Sequence, residues 1–533
     1  MTESNPSSST LTSFFKDKAR LSETCLIAAF ITLAGLYAML MLTDRIPLPG
    51  LIILGTLWLG YWLFSRRLSF ATPMDLTIII LLGLLSLSLT NSVDIYLTLP
   101  KVYGLVLGVI LFYWLVNYVR NVDRLRVVIA GLILLAFGLP LLGLLGADWS
   151  VSSYSIPKRI LEALTSRFGF IERLSSGGGI HVNTIGGTLC FFVPLLLSLL
   201  FDGGTVQWAS TQNKQPVRSL VILYKVVVVL ALAIVLFVLF YTESRGSYLG
   251  SIIGVIALLV WKDRRFLWLI PVVLLVFILV FILFAKSDFS TFLAMLDTTQ
   301  DNNTLQVRWD YWKRTIYLIQ DFPITGAGLG VYNKVFQGLY LFSPFVSDLE
   351  PSFYAHNLYL GVTASMGIPA LVVYFTLFGS VTSMVFSSTR KAQPLTGVVL
   401  MGLSCGFLAH LIYGIMDNYL PGEKLGVVMW IFLGIITAIN IHPQGFSTCG
   451  DDQNSRINQT YWLKFPQWLT ITGLGLLSWV MVSLAAVSFI NEYPLLSLII
   501  AAVGGFLSGL VLARLFCIKK AHLRVKQAAA AGT

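Results

Sequence analysis

The sequence predicts an all-α polytopic membrane protein, and two observations carry that prediction. Of its 533 residues, 56% are hydrophobic and only 11% are charged, whereas soluble domains carry about 25% charged residues. Apolar runs of about 20 residues recur along the chain, which is the length that a helix needs to cross a bilayer. The runs are continuous rather than alternating, so they indicate helices and exclude a membrane barrel.

These apolar runs predict about fourteen transmembrane spans. They lie near residues 24–43, 50–65, 75–90, 101–119, 125–146, 182–201, 217–241, 246–261, 266–285, 357–387, 395–416, 425–441, 466–490 and 494–517. The first twelve form a predicted core over residues 24–441. Residues 466–517 are an extra C-terminal helical pair. The remaining segments, 1–23, 442–465 and 518–533, are a predicted N-terminal tail, linker and C-terminal tail.

Basic residues cluster in connecting segments that fall on one side of the membrane. Such segments are cytoplasmic by the positive-inside rule, which also makes the linker and both tails cytoplasmic. The clusters are Arg66-Arg67, Arg120 with Arg124 and Arg126, Lys262 with Arg264 and Arg265, Arg390-Lys391, and Lys519-Lys520. The net charge of +11 is therefore explained by topology. No separate basic module indicates binding to nucleic acid.

Two outer segments, near 147–181 and 286–356, are too long to be plain connectors. The second contains TLQVRWDYWKRTIYLIQD, which has helical periodicity. We expect its apolar face, with Trp309 and Trp312, to lie at the membrane surface. Arg308 is about 100° around the helix from Trp309, so it is expected to point away from lipid.

Three residues on the predicted outer side are candidates for chemistry on a phosphate group. They are Arg245 in ESRGSYLG, Arg308 in VRWDYW and His356 in YAHNLYLG. Guanidinium groups bind phosphate oxygens in a bidentate geometry, so two arginines suit a diphosphate. Histidine exchanges protons near neutral pH and suits a general base. Each residue alone also fits a simpler role, as an interfacial anchor, a solvated charge or a helix-end hydrogen-bonding group.

Five other polar residues are candidates for lining the same cavity. His181 and Asn183 open the sixth span from outside, and Asn357 begins the tenth. His410 and Asp417 lie seven residues apart on one face of the eleventh span, near its outer end. Polar residues in these positions also cap helices or stabilise helix packing, and the sequence leaves both interpretations open.

The sequence predicts neither a metal site nor a cofactor. It has no H-x-x-H, H-E-x-x-H or C-x-x-C pattern, and no D-x-D pair in an outer segment. None of its five cysteines falls in an outer segment, so no disulfide framework is expected. The GAGLG run at 326–330 does not follow a strand, and we interpret it as a backbone turn.

Five segments, taken together and in order, resemble the O-antigen ligase family. That family also includes O-antigen polymerases and pilin O-oligosaccharyltransferases. The segments are HVNTIGGTLCFFVPLLL, TESRGSYLG, VRWDYWKRTIYLIQDFPITGAGLGVY, AHNLYLGVTASMGIPAL and HLIYGIMDNYL. The resemblance covers roughly residues 100–440. The last two predicted spans are not part of the family core.

The resemblance implies a twelve-helix GT-C-like core with a large helical periplasmic loop, in the bacterial inner membrane. It implies a metal-independent, inverting glycosyltransferase. The donor would be a glycan on undecaprenyl pyrophosphate, and the acceptor would be lipid A-core or another surface molecule. Arg245 and Arg308 would hold the donor diphosphate, and His356 would deprotonate the acceptor hydroxyl.

Alternatives of two kinds remain. Within the family, an O-antigen polymerase or a protein O-oligosaccharyltransferase would use the same donor with a different acceptor. Outside that chemistry, the chain would transport a small anion such as bicarbonate, since relatives described as inorganic-carbon transporters share the SRG and glycine-rich segments. Transporter sites usually lie near the bilayer midplane, whereas the candidates here cluster at the outer face. The histidine in AHN also favours the transferase.

Overall fold

The computed structural model describes residues 6–43, 46–146, 181–201, 218–272, 275, 304–340, 355–389, 393–417, 422, 424–446 and 465–531. Over these residues the chain forms 17 α-helices and no strand. The predicted fold class, an all-α polytopic membrane protein, is confirmed. Most of the outer segment 147–181 and of the linker 442–465 lies outside the described residues.

The described helices are numbered here in chain order. They are α1 (Pro6–Thr43), α2 (Leu48–Ser65), α3 (Asp75–Thr90), α4 (Ile95–Tyr118), α5 (Val122–Gly146), α6 (Val182–Leu189), α7 (Phe192–Phe201), α8 (Arg218–Tyr241), α9 (Arg245–Lys262), α10 (Thr304–Asp321), α11 (Tyr332–Leu339), α12 (Leu358–Met366), α13 (Ile368–Thr389), α14 (Pro394–Met416), α15 (Val427–Ile441), α16 (Phe465–Phe489) and α17 (Pro494–Ala531). Short 3₁₀ turns follow α9 and flank α15.

Ten stretches of the described helices are long and apolar enough to cross a membrane, counting α6 and α7 as one. They coincide with ten of the predicted spans. Three further predicted spans coincide with shorter apolar helices, namely α3, α15 and most of α16. The ninth predicted span, near 266–285, lies mostly outside the described residues. The division of the chain at 441 into a core and a C-terminal pair stays a prediction.

Two spans that were expected to be continuous are each built from two helices. The span at 182–201 is divided between α6 and α7 at Cys190 and Phe191. The span at 357–387 is divided at Gly367, whose φ of 81° lies in the left-handed region. A Cβ on Gly367 would lie 2.1 Å from the carbonyl oxygen of Ile324, so only glycine fits there.

The glycine-rich run at 326–330 docks against this second interruption. The backbone N–H groups of Ala327 and Gly328 donate to the carbonyl oxygens of Ala364 (2.8 Å) and Ser365 (3.2 Å). All three glycines of the run have positive φ. The run is therefore a backbone turn, as interpreted from the sequence. It follows α10 in the chain, and its hydrogen bonds hold it against the end of α12.

Helices α13 and α14 form the centre of the bundle, and α9 packs closely against α14. A Cβ on Gly250 would lie 2.3 Å from the carbonyl oxygen of Ala409, and one on Gly254 would lie 2.9 Å from that of Cys405. Without side chains at these positions, the two antiparallel backbones can approach each other. This packing brings the N-terminus of α9 to the predicted outer end of α14.

The C-terminal helical pair contacts both the centre of the bundle and the outer helix α10. A Cβ on Gly505 of α17 would lie 2.4 Å from the carbonyl oxygen of Val372 in α13. Gln320 of α10 donates from Nε2 to the carbonyl oxygen of Ile490 (3.2 Å), in the turn between α16 and α17. The pair therefore supports the helix that carries Arg308.

Candidate active site

The predicted outer end of α14 brings together segments that the sequence analysis identified separately. The N-termini of α9 and α12, together with the outer helix α10, all contact α14 within its last turn or directly after it. We call Arg245, Arg308, His356 and Asp417 the outer-end cluster. The sequence placed these four residues on the same side of the membrane, and the structure adds how they are held.

His356 and Asp417 form a pair across 61 residues of sequence. The imidazole Nδ1 lies 3.3 Å from Oδ1 of Asp417, slightly longer than an ordinary N–H···O hydrogen bond. The side chain of Asp417 is 10% exposed and that of His356 is 24% exposed. A proton on Nδ1 directed at the carboxylate leaves the lone pair of Nε2 free to accept another proton.

The backbone of His356 is held in an uncommon conformation. Its φ of 47° lies in the left-handed region, which residues other than glycine adopt rarely and at an energetic cost. The outer helix α10 supports this conformation, because Trp312 donates from Nε1 to the carbonyl oxygen of His356 (3.3 Å). The Tyr311 ring lies 5.8 Å from the imidazole, centroid to centroid.

Asn357 fixes the start of α12 beside His356. Its side-chain oxygen accepts from the N–H groups of Tyr359 and Leu360, both at 3.0 Å, so it is the N-cap of α12. Its Nδ2 donates to the carbonyl oxygen of Ile415 in α14 (2.9 Å). Asn357 is buried, and the structure gives it a positioning contact that aligns His356 with Asp417.

Arg308 reaches from α10 to the last residue of α14. Its Nη1 donates to the carbonyl oxygen of Met416 at 2.7 Å, which satisfies one of the carbonyl groups exposed at the end of the helix. A guanidinium has five N–H donors in a planar fork. One of these donors anchors the side chain at the end of α14, next to Asp417 in the sequence.

Arg245 is the first residue of α9 and is exposed. The next residue, Gly246, packs against α14, where its Cβ would lie 2.8 Å from that of Met416. Glu243, just before this turn, has a φ of 51° and is another of the three non-glycine residues with positive φ among those described. Arg308 therefore contacts Met416 from α10, and Arg245 is next in sequence to the residue that packs against Met416 from α9.

The remaining predicted cavity residues lie at different depths. The exposed His181 is the N-cap of α6, accepting at Nδ1 from the N–H of Asn183 (3.2 Å). The carbonyl oxygen of Asn183 in turn accepts from the hydroxyl of Tyr413 (2.8 Å), so α6 also begins near the end of α14. His410 is fully buried and stacks on Phe191, about 10 Å below Asp417 along α14.

Two residues of α10 contact His356 although the sequence gave neither of them a role at the site. Tyr311 and Trp312 contact His356, and their spacing of three and four residues from Arg308 is the signal that connects them. Trp312 is partly buried, and Trp309 is 50% exposed. That this face lies at the membrane surface stays a prediction.

The cluster combines a histidine–carboxylate pair with two guanidinium groups. This combination suits the removal of a proton from a hydroxyl beside a bound phosphate or diphosphate, whose charge the arginines would offset. Among the described residues, no group of three His, Cys, Asp or Glu side chains is arranged to hold a metal ion.

The family comparison covers this same part of the chain. Residues 230–375 match the O-antigen ligase family. The resemblance stated from the sequence is thereby confirmed, and the matched segment contains Arg245, Arg308 and His356. The match supports a membrane-embedded glycosyl-transfer enzyme of the O-antigen ligase or polymerase type. None of the curated proteins compared matches the chain significantly.

Replacing Asp417 with Asn is expected to lower kcat for glycosyl transfer by about 10²-fold and to leave the KM for the donor nearly unchanged. The amide keeps the shape of the side chain but loses the negative charge that faces Nδ1 of His356. Steady-state kinetics at fixed pH would measure both constants. Asp417→Glu, which keeps the charge, is expected to recover part of kcat. Equal losses for Asn and Glu would indicate a role in packing alone.

Proposed function

We propose that this protein is an O-antigen ligase-like inverting glycosyltransferase. It moves a glycan from undecaprenyl pyrophosphate to an acceptor hydroxyl at the outer face of the inner membrane, without a metal ion. The observation that carries the proposal is the outer-end cluster: His356 pairs with Asp417, Arg308 bonds to the last carbonyl group of α14, and Arg245 begins the helix that packs beside it. The match to the O-antigen ligase family over residues 230–375 supports it.

In this proposal His356 is the catalytic base and Asp417 is its positioning residue. Nε2 of His356 takes the proton from the acceptor hydroxyl as that oxygen attacks the anomeric carbon. The bond from that carbon to the pyrophosphate oxygen breaks on the opposite face of the sugar, which inverts the configuration. Undecaprenyl pyrophosphate leaves with the electron pair. Arg245 and Arg308 stabilise the charge that develops on it.

The orientation of the chain belongs to the same proposal. The N- and C-termini would be cytoplasmic and the cluster would face the periplasm or the outside, as the distribution of basic residues predicts. A lipid-linked donor reaches such a site from the outer leaflet. The acceptor would be lipid A-core or another surface molecule. An O-antigen polymerase or a protein O-oligosaccharyltransferase would use the same cluster with a different acceptor.

A transfer assay with the purified full-length protein tests the proposal. The protein in nanodiscs would receive an undecaprenyl-pyrophosphate-linked glycan and an envelope acceptor fraction, with EDTA present. We expect release of undecaprenyl pyrophosphate together with a glycosylated acceptor, and the identity of that acceptor separates ligase from polymerase. Activity that EDTA abolishes would contradict the metal-free mechanism. Solute flux in proteoliposomes without any transfer would favour the transporter instead.

A further inference from the structure

A second group of arginines lies on the membrane face opposite the outer-end cluster. Helix α4 begins near the glycine-rich turn, where Thr98 donates to the carbonyl oxygen of Leu329 (2.7 Å), and it ends at Tyr118. Arg120 follows the far end of α4, and Arg67 follows the neighbouring end of α2. We call Arg67 and Arg120 the inner arginine pair.

Both arginines of the inner pair lie against the same phenyl ring. The guanidinium carbon of Arg67 is 4.5 Å from the ring centroid of Phe70, and that of Arg120 is 5.2 Å from it. Cation–π contacts of this kind hold a guanidinium in place without neutralising its charge. Two positive charges are therefore gathered at one short turn between α2 and α3.

Arg120 is also fixed by a buried network of hydrogen bonds. It donates from Nε to the carbonyl oxygen of Asn117 (2.5 Å) and from Nη2 to the hydroxyl of Tyr61 (3.2 Å). Tyr61 donates to Oδ1 of Asn117 (3.1 Å), whose Nδ2 donates to Oγ of Ser69 (2.9 Å). Tyr61 and Asn117 are almost fully buried. The position of the guanidinium is thus set before any ligand binds.

Among the described residues, neither Arg67 nor Arg120 forms an ion pair with an acid. The nearby Glu23 forms its ion pair with Arg124 at 2.5 Å instead. Burial lowers the pKa of Arg120. The Tyr61 hydroxyl and Glu23 oppose this effect, whereas the positive charges of Arg124 and Arg67 add to it. An anion bound by both guanidinium groups would offset the repulsion between them.

The surface beside the inner pair is apolar and exposed. Helix α2 is covered by the protein along only a small part of its length. Its last two turns and the residue after Arg67 expose large hydrophobic side chains, namely Leu59, Trp62, Leu63 and Leu68. In a membrane this surface faces acyl chains, so the anion that reaches the arginines most easily belongs to a lipid.

We propose that Arg67 and Arg120 bind the phosphate of an anionic phospholipid headgroup, with the acyl chains of that lipid lying along α2. The guanidinium fork of Arg67 matches phosphate oxygens, and Arg120 adds a second positive charge whose position is fixed by its own hydrogen bonds. Basic pockets between transmembrane helices bind anionic headgroups in the same way. The proposal rests on contacts at the opposite face from the outer-end cluster and does not depend on glycosyl transfer.

Ligand binding to the full-length protein tests the proposal directly. The protein in a neutral detergent would be titrated with short-chain phosphatidylglycerol, short-chain phosphatidylcholine or inorganic phosphate, with the unfolding temperature and the Kd as measurements. We expect saturable stabilisation by phosphatidylglycerol, and binding at least tenfold weaker for phosphatidylcholine and inorganic phosphate. Equal binding of inorganic phosphate would overturn the lipid assignment. Equal binding of phosphatidylcholine would overturn the requirement for an anionic lipid.

A neighbouring arginine provides the matched control. Arg67→Gln is expected to weaken the binding of phosphatidylglycerol about tenfold, which is typical of one lost charge-assisted hydrogen bond. Arg66→Gln removes the same charge one residue earlier, where the side chain is exposed and the backbone N–H caps α2. It is expected to change the Kd less than about twofold. Equal effects of the two variants would overturn the site in favour of diffuse attraction.

A conservative variant of Arg67 distinguishes loss of lipid binding from misfolding of the protein. Arg67→Lys keeps the charge and the apolar stem but not the fork, and it is expected to weaken binding about threefold. A Kd unchanged in both Arg67→Lys and Arg67→Gln would also reject the site. The measurement on Arg67 is preferred to one on Arg120, because Arg120 holds the buried network at Tyr61 and Asn117 together.

Discussion

Replacing His356 with Ala is expected to lower kcat for glycosyl transfer by about 10²- to 10⁴-fold, the range that a general base contributes. In the proposed mechanism the imidazole of His356 takes the acceptor proton, and its Nδ1 lies 3.3 Å from Oδ1 of Asp417. Without the ring, the hydroxyl must lose its proton to water. Single-turnover transfer of a labelled donor glycan, measured with saturating acceptor, would give this rate.

The His356→Ala protein is expected to fold and to bind donor. The side chain of His356 is 24% exposed, so its removal leaves no large cavity in the bundle. Both arginines remain, so the Kd for the donor should change less than about threefold. Unchanged transfer in this variant would contradict the base role. Loss of donor binding together with transfer would instead indicate that His356 holds the diphosphate.

The sequence predicted where the helices lie because apolar length is a local property. Long runs such as Pro394–Met416 identify a span without knowledge of its neighbours. The interruption at Gly367 was not predicted, since its positive φ is required by the approach of Ile324 from a distant turn. A continuous helix was therefore expected where two helices meet. Such helix breaks depend on tertiary contacts, which cannot be read from the hydropathy of the sequence.

The candidate site was predicted as a set of residues but not as a geometry. Side-of-membrane reasoning gave Arg245, Arg308 and His356, because it needs only the order of the spans. The partner of His356 could not be deduced, as Asp417 lies 61 residues away and was as compatible with pairing to His410. The structure separates those two choices: Asp417 meets His356 at the surface, while His410 stacks on Phe191 in the interior.

The contact between the C-terminal helices and α10 was also not predictable from the sequence. The C-terminal helices were predicted to be an extra pair, with no function suggested. Their turn accepts a hydrogen bond from Gln320 of α10. The same helix carries Arg308, which belongs to the outer-end cluster, and Trp312, which donates to the carbonyl oxygen of His356. The orientation of α10 therefore depends on two contacts: Arg308 bonds to α14 near its first turn, and Gln320 bonds to the C-terminal pair near its last turn. Only the first of these contacts lies at the candidate site.

Replacing Arg308 with Ala is expected to lower kcat/KM for the donor by about 10²- to 10³-fold, as for other groups that stabilise charge in a transition state. Arg308→Lys is expected to lose about tenfold or more. Arg308 donates to the carbonyl oxygen of Met416 at 2.7 Å and has further donors in the same plane. A lysine ammonium has all its donors on one nitrogen, so it cannot keep this bond and also present a planar fork to two phosphate oxygens. Steady-state kinetics with varied donor would measure both variants. Arg265→Lys, 91% exposed on the opposite face, is the matched control and should be unchanged.

A double-mutant cycle decides whether Arg308 acts on the donor or only on α14. If Arg245 and Arg308 hold one diphosphate, their Lys variants share a partner, and the combined loss should differ from the sum of the single losses. If Arg308 only ties α10 to Met416, the combined loss would be additive, and the KM for the donor would not rise in Arg308→Lys. That second outcome would remove Arg308 from the proposed donor site. It would leave the pair of His356 and Asp417 as the part of the cluster that acts on substrate.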